Sequence, residues 1–119
     1  MNKFENCIFL NNVLVCMNIK VRIGAQRNES SFSQKWKIGP CYGPKEFYDN
    51  ITSLDSVQYE ANNIYMDRCC LRPSVYTLAC ENEIGPFGWG NSSIEILGQQ
   101  YCNDFVGYKV FRKVLVAGK

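Results

Sequence analysis

Seven cysteines are the residues best placed to do chemistry in this 119-residue chain: Cys7, Cys16, Cys41, Cys69, Cys70, Cys80 and Cys102. Cysteine thiolates bind metals, attack carbonyls or close disulfides, and spacing separates these uses. No Cys-x-x-Cys pair occurs, so zinc ribbons and thioredoxin-type redox motifs lack their basic spacing. Histidine is absent altogether. That removes the commonest metal ligand and the base of Ser/His and Cys/His nucleophile pairs. What remains is a disulfide framework, the usual support of a small domain in an oxidising compartment, or reduced cysteines buried as small hydrophobes in a cytosolic protein. A second signal favours the framework. Asn28-Glu29-Ser30, Asn50-Ile51-Thr52 and Asn91-Ser92-Ser93 are N-glycosylation sequons, where the chain's composition leads one to expect about one by chance. The carboxylate pairs Glu81/Glu83 and Asp49/Asp55 have the residue types of glycosidase chemistry. Nothing around them marks a reaction centre, and they read as exposed loop acids.

The elements that must position these cysteines belong to one domain, since a chain of this length has no room for a second core. Hydrophobic residues make up 46% and charged residues 20% of the chain, which fits a globular fold rather than disorder. A formal charge of +2 supplies no electrostatic case for nucleic acid as a partner. The apolar stretch Cys7–Leu10 is too short and broken to span a membrane. Residues 1–10 also lack the pattern of a signal peptide, so a secreted reading requires the chain to be a mature or excised part of a precursor.

Short β-rich runs separated by Gly, Pro, Asn and Asp predict an all-β, antiparallel sandwich of seven to nine strands. Asn11-Asn12 offers a two-residue turn between Cys7–Leu10 and Val13–Met17. Asn18–Ile23 alternates, with Ile19, Val21 and Ile23 on one face. Gln34–Ile38, Val75–Cys80, Ser93–Leu97 and Gln100–Asn103 read as strands, with a tight turn at Gly98-Gln99. Tyr42–Asp67 reads as loops around one or two short strands, with a helical turn near residues 44–48. Val106–Val116 closes the domain, placing Tyr108, Val110, Arg112, Val114 and Val116 opposite Lys109, Phe111, Lys113 and Leu115. Its lysines suit a sheet edge. The domain is thus residues 13–119, preceded by an arm at 1–12.

Cys69-Cys70-Leu71-Arg72-Pro73-Ser74-Val75-Tyr76-Thr77-Leu78-Ala79-Cys80 is the strongest local pattern, followed by Gly85-Pro86-Phe87-Gly88-Trp89-Gly90 and Tyr101-Cys102. With Lys35-Trp36-Lys37-Ile38-Gly39-Pro40-Cys41 upstream, it resembles a cysteine-rich β-sandwich module of secreted invertebrate and protist proteins. Those modules are CUB-like or jelly-roll in layout, and the resemblance spans residues 16–116. It implies an extracellular, non-enzymatic part. The module's Pro-Gly is Pro73-Ser74 here, and its acidic Gly-Asp-Gly-Trp loop has lost the aspartate. Calcium would need clustered oxygen ligands, and only Glu81, Glu83 and Asn82 stand nearby, so no cofactor is expected. Phe87 and Trp89 are either core plugs or a ligand loop for carbohydrate.

In an extended segment Cys69 and Cys70 point to opposite faces, so they take different partners. The candidates are Cys41 with one of them, Cys16 with the other, and Cys80 with Cys102 on neighbouring strands, the connectivity staying open. Cys7 is left over. With Ile8, Phe9 and Leu10 it makes the arm a candidate intersubunit strand, added to the sheet of the next copy. The alternative is an arm folded on its own sheet. The expected protein is a secreted, glycosylated building block of an extracellular filament or matrix, with itself or other extracellular proteins as partners. A carbohydrate- or calcium-binding recognition module is the alternative function.

Overall fold

A computed structural model describes residues 13–25, 32–45 and 58–118. Its eight strands are β1 (Val15–Ile23), β2 (Gln34–Ile38), β3 (Cys41–Gly43), β4 (Asn63–Leu71), β5 (Ser74–Asn82), β6 (Ser93–Ile96), β7 (Gln99–Tyr101) and β8 (Lys109–Val116). They form two antiparallel four-stranded sheets, ordered β4-β1-β6-β7 and β3-β2-β5-β8. The fold is an all-β sandwich braced by three disulfides, within the seven-to-nine-strand expectation.

Period-two alternation makes the core. Ile19, Val21 and Ile23 of β1 are buried beside Ile94 and Ile96 of β6. From the other sheet come Trp36 and Ile38 of β2, Leu78 and Cys80 of β5, and Val114 and Val116 of β8. β-branched residues dominate because they fit a pleated surface and lose little rotamer freedom there.

Three findings differ from the reading of the sequence. β4 is a continuous nine-residue strand paired with β1 from Val15↔Leu71 to Ile23↔Asn63. Its first half inverts the usual pattern, with Ile64 and Met66 exposed and Tyr65 and Asp67 half-buried, which hides it from a search for apolar alternation. The β6–β7 turn is Leu97-Gly98 rather than Gly98-Gln99, because Ile96 pairs with Gln99. Both turn residues have positive φ, 52° and 81°. β5 runs on to Asn82, past the expected end at Cys80, because buried Asn82 Oδ1 accepts from Ser33 N at 2.8 Å and Ile84 N at 3.2 Å.

The disulfides join Cys16 to Cys70, Cys41 to Cys69 and Cys80 to Cys102. Cys69 turns into the core and Cys70 outward, so the adjacent cysteines do take different partners. Cys41–Cys69 ties β3 to β4, one strand from each sheet. Cys80–Cys102 ties β5 to the residue after β7, so its partners lie on facing sheets and not on neighbouring strands. Cys16 and Cys70 are paired residues of one ladder. The arm at 1–12, with Cys7, Ile8, Phe9 and Leu10, lies outside the described residues, as do Asn28, Asn50, Asp49 and Asp55.

Candidate association surface

The loop weighed as a ligand site does not present its indole. Trp89 is 0% exposed, and its Nε1 donates to the Glu81 carbonyl at 3.0 Å. A glycine-rich loop allows this inward turn. Gly88 has φ +63°, its N–H donates to Gly107 O at 2.9 Å, and Gly107 N–H donates to Pro86 O at 3.1 Å. A Cβ at Gly88 would collide with the Phe105 carbonyl oxygen. Trp89 is therefore a core plug, the first of its two readings, while Phe87 faces water. Glu81 and Glu83 are engaged with Lys109 at 3.6 Å and Lys35 at 3.4 Å. Among the described residues no cluster of three metal-ligating side chains occurs.

Of the sequons, Asn91 lies in the structure and is exposed. Its Nδ2 donates to Ala25 O at 3.1 Å. Ser92, inside the same sequon, is buried and accepts from Gly24 N at 3.2 Å and Gln34 Nε2 at 3.3 Å. The sequon thus sits on a fastened turn with its asparagine at the surface.

The surface that stands out is the outer face of β5 and β8. Buried Val114 and Val116 alternate with an outer row in which Phe111 at 59% and Leu115 at 65% exposure are interleaved with Lys109 and Lys113. Leu115 lies opposite Val75, itself 59% exposed, and Phe111 opposite Ala79. Lys37 follows Ala79 in the same row, and Tyr42, also exposed, lies opposite Lys37. The exposed apolar side chains gather at the β8 edge, interleaved with Lys113 and Lys37, and such surface suits association.

Among the described residues β8 is also an edge strand, paired on one side with β5. The ladder fixes which backbone groups are open. Asn82 N–H donates to Tyr108 O at 2.8 Å, making that pair a hydrogen-bonded one. Alternation then turns Val110, Arg112, Val114 and Val116 toward β5 and the N–H and C=O groups of Lys109, Phe111, Lys113 and Leu115 toward the open side. The lysines expected to guard this edge lean away from it. Lys109 reaches Glu81, and Lys113 Nζ donates to Thr77 Oγ1 at 3.1 Å, both back over β5. Arg112 pairs with Asp104 at 3.6 Å. Arg112 Nη1 also donates to the Phe111 carbonyl at 3.2 Å, so one acceptor of the open row is engaged, while the two lysines leave the rest clear.

Sequence reasoning identified the edge character of β8 but missed the exposed apolar side chains there. Their signal was available in Val110-Phe111 and Val114-Leu115, where adjacent residues on opposite faces are both apolar. No protein-family model, no curated protein and no solved structure matches the chain.

Proposed function

We propose that the protein is a non-enzymatic, secreted and N-glycosylated structural module that builds extracellular assemblies by strand addition at the free edge of β8. The observation that carries this reading is the coincidence, on one strand, of a backbone row largely open among the described residues and of the exposed apolar side chains Phe111 and Leu115. Strand addition satisfies both needs at once, since main-chain groups pair while alternate side chains cover apolar surface.

The donor is the arm of a second copy. Twelve extended residues span up to ~40 Å, enough to leave one domain and line an eight-residue strand on another. Its apolar Phe4, Ile8, Phe9 and Leu10 suit those side chains. An arm inserted into the next copy is a head-to-tail contact, which propagates as a filament unless it closes into a ring. Three disulfides in so small a domain fit an oxidising, extracellular setting. The resemblance to secreted cysteine-rich modules supports the same reading.

Deleting residues 1–12 tests it. The full chain is expected to run as concentration-dependent oligomers on size exclusion and the shortened chain as a monomer. Two monomeric profiles would defeat the proposal.

A further inference from the structure

The three disulfides do not do the same job. Cys69, Cys80 and Cys102 are buried, and the bridges they form hold the two sheets together. Cys16–Cys70 lies on the outer face of the sheet, with Cys16 exposed and Cys70 half-buried. It joins residues already opposite each other in a ladder of nine pairs, with four pairs of β6 on the other side of β1. Cutting this bond leaves β1 held by its backbone pairing. An exposed bridge that the fold does not depend on is the kind that exchanges.

Two neighbouring features suit exchange. A depression of about 320 Å³ on the same face is lined by Cys16, Asn18, Lys20, Met66, Glu95 and Leu97 among others, giving an incoming chain room beside the sulfur. Arg68 is two residues from Cys70 on β4 and opposite Asn18, so its guanidinium shares the outward face with Cys70. Positive charge at that place favours a departing thiolate.

We propose that Cys16–Cys70 is an exchangeable disulfide, a thiol-accepting site on the surface of the protein. An incoming thiolate attacks Cys16 Sγ, a new S–S bond forms to it, and the Cys16–Cys70 bond breaks with its electron pair leaving on Cys70 Sγ as thiolate. Thiol and disulfide counts are conserved, so no external oxidant or reductant enters. The chain itself encodes one candidate nucleophile. Six cysteines are bonded, and the seventh, Cys7, is separated from Cys16 by eight residues, a tether of at most ~30 Å. Such tethering raises the effective concentration of the thiol at its target. The same attack by Cys7 of another copy gives a covalent joint. The site stands whether or not copies associate through β8.

The test uses the native, oxidised full chain. Incubation with a small excess of reduced glutathione, followed by alkylation with N-ethylmaleimide and peptide mapping, is expected to give glutathionylated Cys16 with alkylated Cys70. The other four bonded cysteines should remain unlabelled and the far-ultraviolet dichroism unchanged, with Cys16–Cys70 opening at least ~100-fold faster than either buried bridge. Without glutathione, a Cys7–Cys16 peptide in the parent and its absence in Cys7→Ser identify the internal nucleophile. Its recovery from monomer supports attack within one chain, and from dimer attack between copies. Labelling of Cys16 and Cys70 that arises only together with the other four, as the dichroism collapses, overturns the proposal.

Discussion

Replacing Trp89 by Phe tests the assignment of this indole to the core. The side chain is fully buried and its Nε1 donates to the Glu81 carbonyl at 3.0 Å. The substitution removes about 40 Å³, which at about 24 cal/mol per Å³ costs about 1 kcal/mol. It also removes the indole's hydrogen bond to the Glu81 carbonyl, which keeps its ladder partner Lys35 on β2, adding about 0.5–1.5 kcal/mol. The sum, about 1.5–2.5 kcal/mol, lowers the midpoint of thermal unfolding by roughly 6–12 °C in a domain of this size. A calorimetric melt of the disulfide-intact proteins measures it. Quenching gives an independent reading, because Trp36 and Trp89 are the two tryptophans. In a Trp36→Phe background, emission from Trp89 should be blue-shifted and insensitive to iodide. A Trp89→Phe protein melting within two degrees or so of its parent, or emission readily quenched by iodide, would refute the reasoning and return Trp89 to the surface as a sugar-stacking candidate.

Other expectations follow from particular contacts. Tyr59 accepts from Trp36 Nε1 at 2.8 Å, and burial pushes its phenol up to about 12. Folding therefore favours the neutral phenol: the contribution is complete below pH ~10 and is lost as pH rises from ~10 to ~12. It amounts to about 1–2 kcal/mol once solvent screening of the partly exposed ring is counted, and Tyr59→Phe should remove that part of the alkaline destabilisation in urea titrations. Leu97 holds φ 52° before Gly98 in a two-residue turn, a conformation Asn adopts more readily. Leu97→Asn should stabilise by up to about 1 kcal/mol, read as a raised urea midpoint with unchanged slope. Gly88→Ala forces a Cβ against the Phe105 carbonyl at positive φ and should cost at least about 2 kcal/mol, seen as a lowered melting temperature. Phe111→Asp should leave the melting temperature nearly unchanged. Removing its exposed ring from a contact costs about 2–3 kcal/mol, so self-association should weaken roughly 30- to 150-fold by analytical ultracentrifugation.

Much of the fold was legible because alternation was clean where one face is buried. β1, β2, β5, β6 and β8 were readable from runs such as Ile19-Lys20-Val21-Arg22-Ile23. β4 was not, since Ile64 and Met66 face water while Tyr65 and Asp67 turn partly inward. The opposite faces of Cys69 and Cys70 followed from strand geometry alone, yet placing Cys80 and Cys102 on facing sheets required the topology. Trp89 was ambiguous for a physical reason: a glycine-rich loop can turn an indole either way, and only the hydrogen bond to Glu81 decides. The open edge was foreseeable from the lysines of β8. That they lean back over β5, leaving Arg112 at the Phe111 carbonyl as the cation on the backbone row, was not, because it depends on partners at Thr77 and Glu81.

Sedimentation velocity on the full chain and on Lys113→Pro, each across the micromolar range, tests strand addition at β8 most directly. The Lys113 N–H faces the open side, so proline removes an edge donor without breaking a bond to β5. Strand addition at β8 gives concentration-dependent oligomers for the full chain and monomers for Lys113→Pro, with matching dichroism. Oligomers of equal size and concentration dependence in both would contradict it, as would a full chain that stays monomeric throughout.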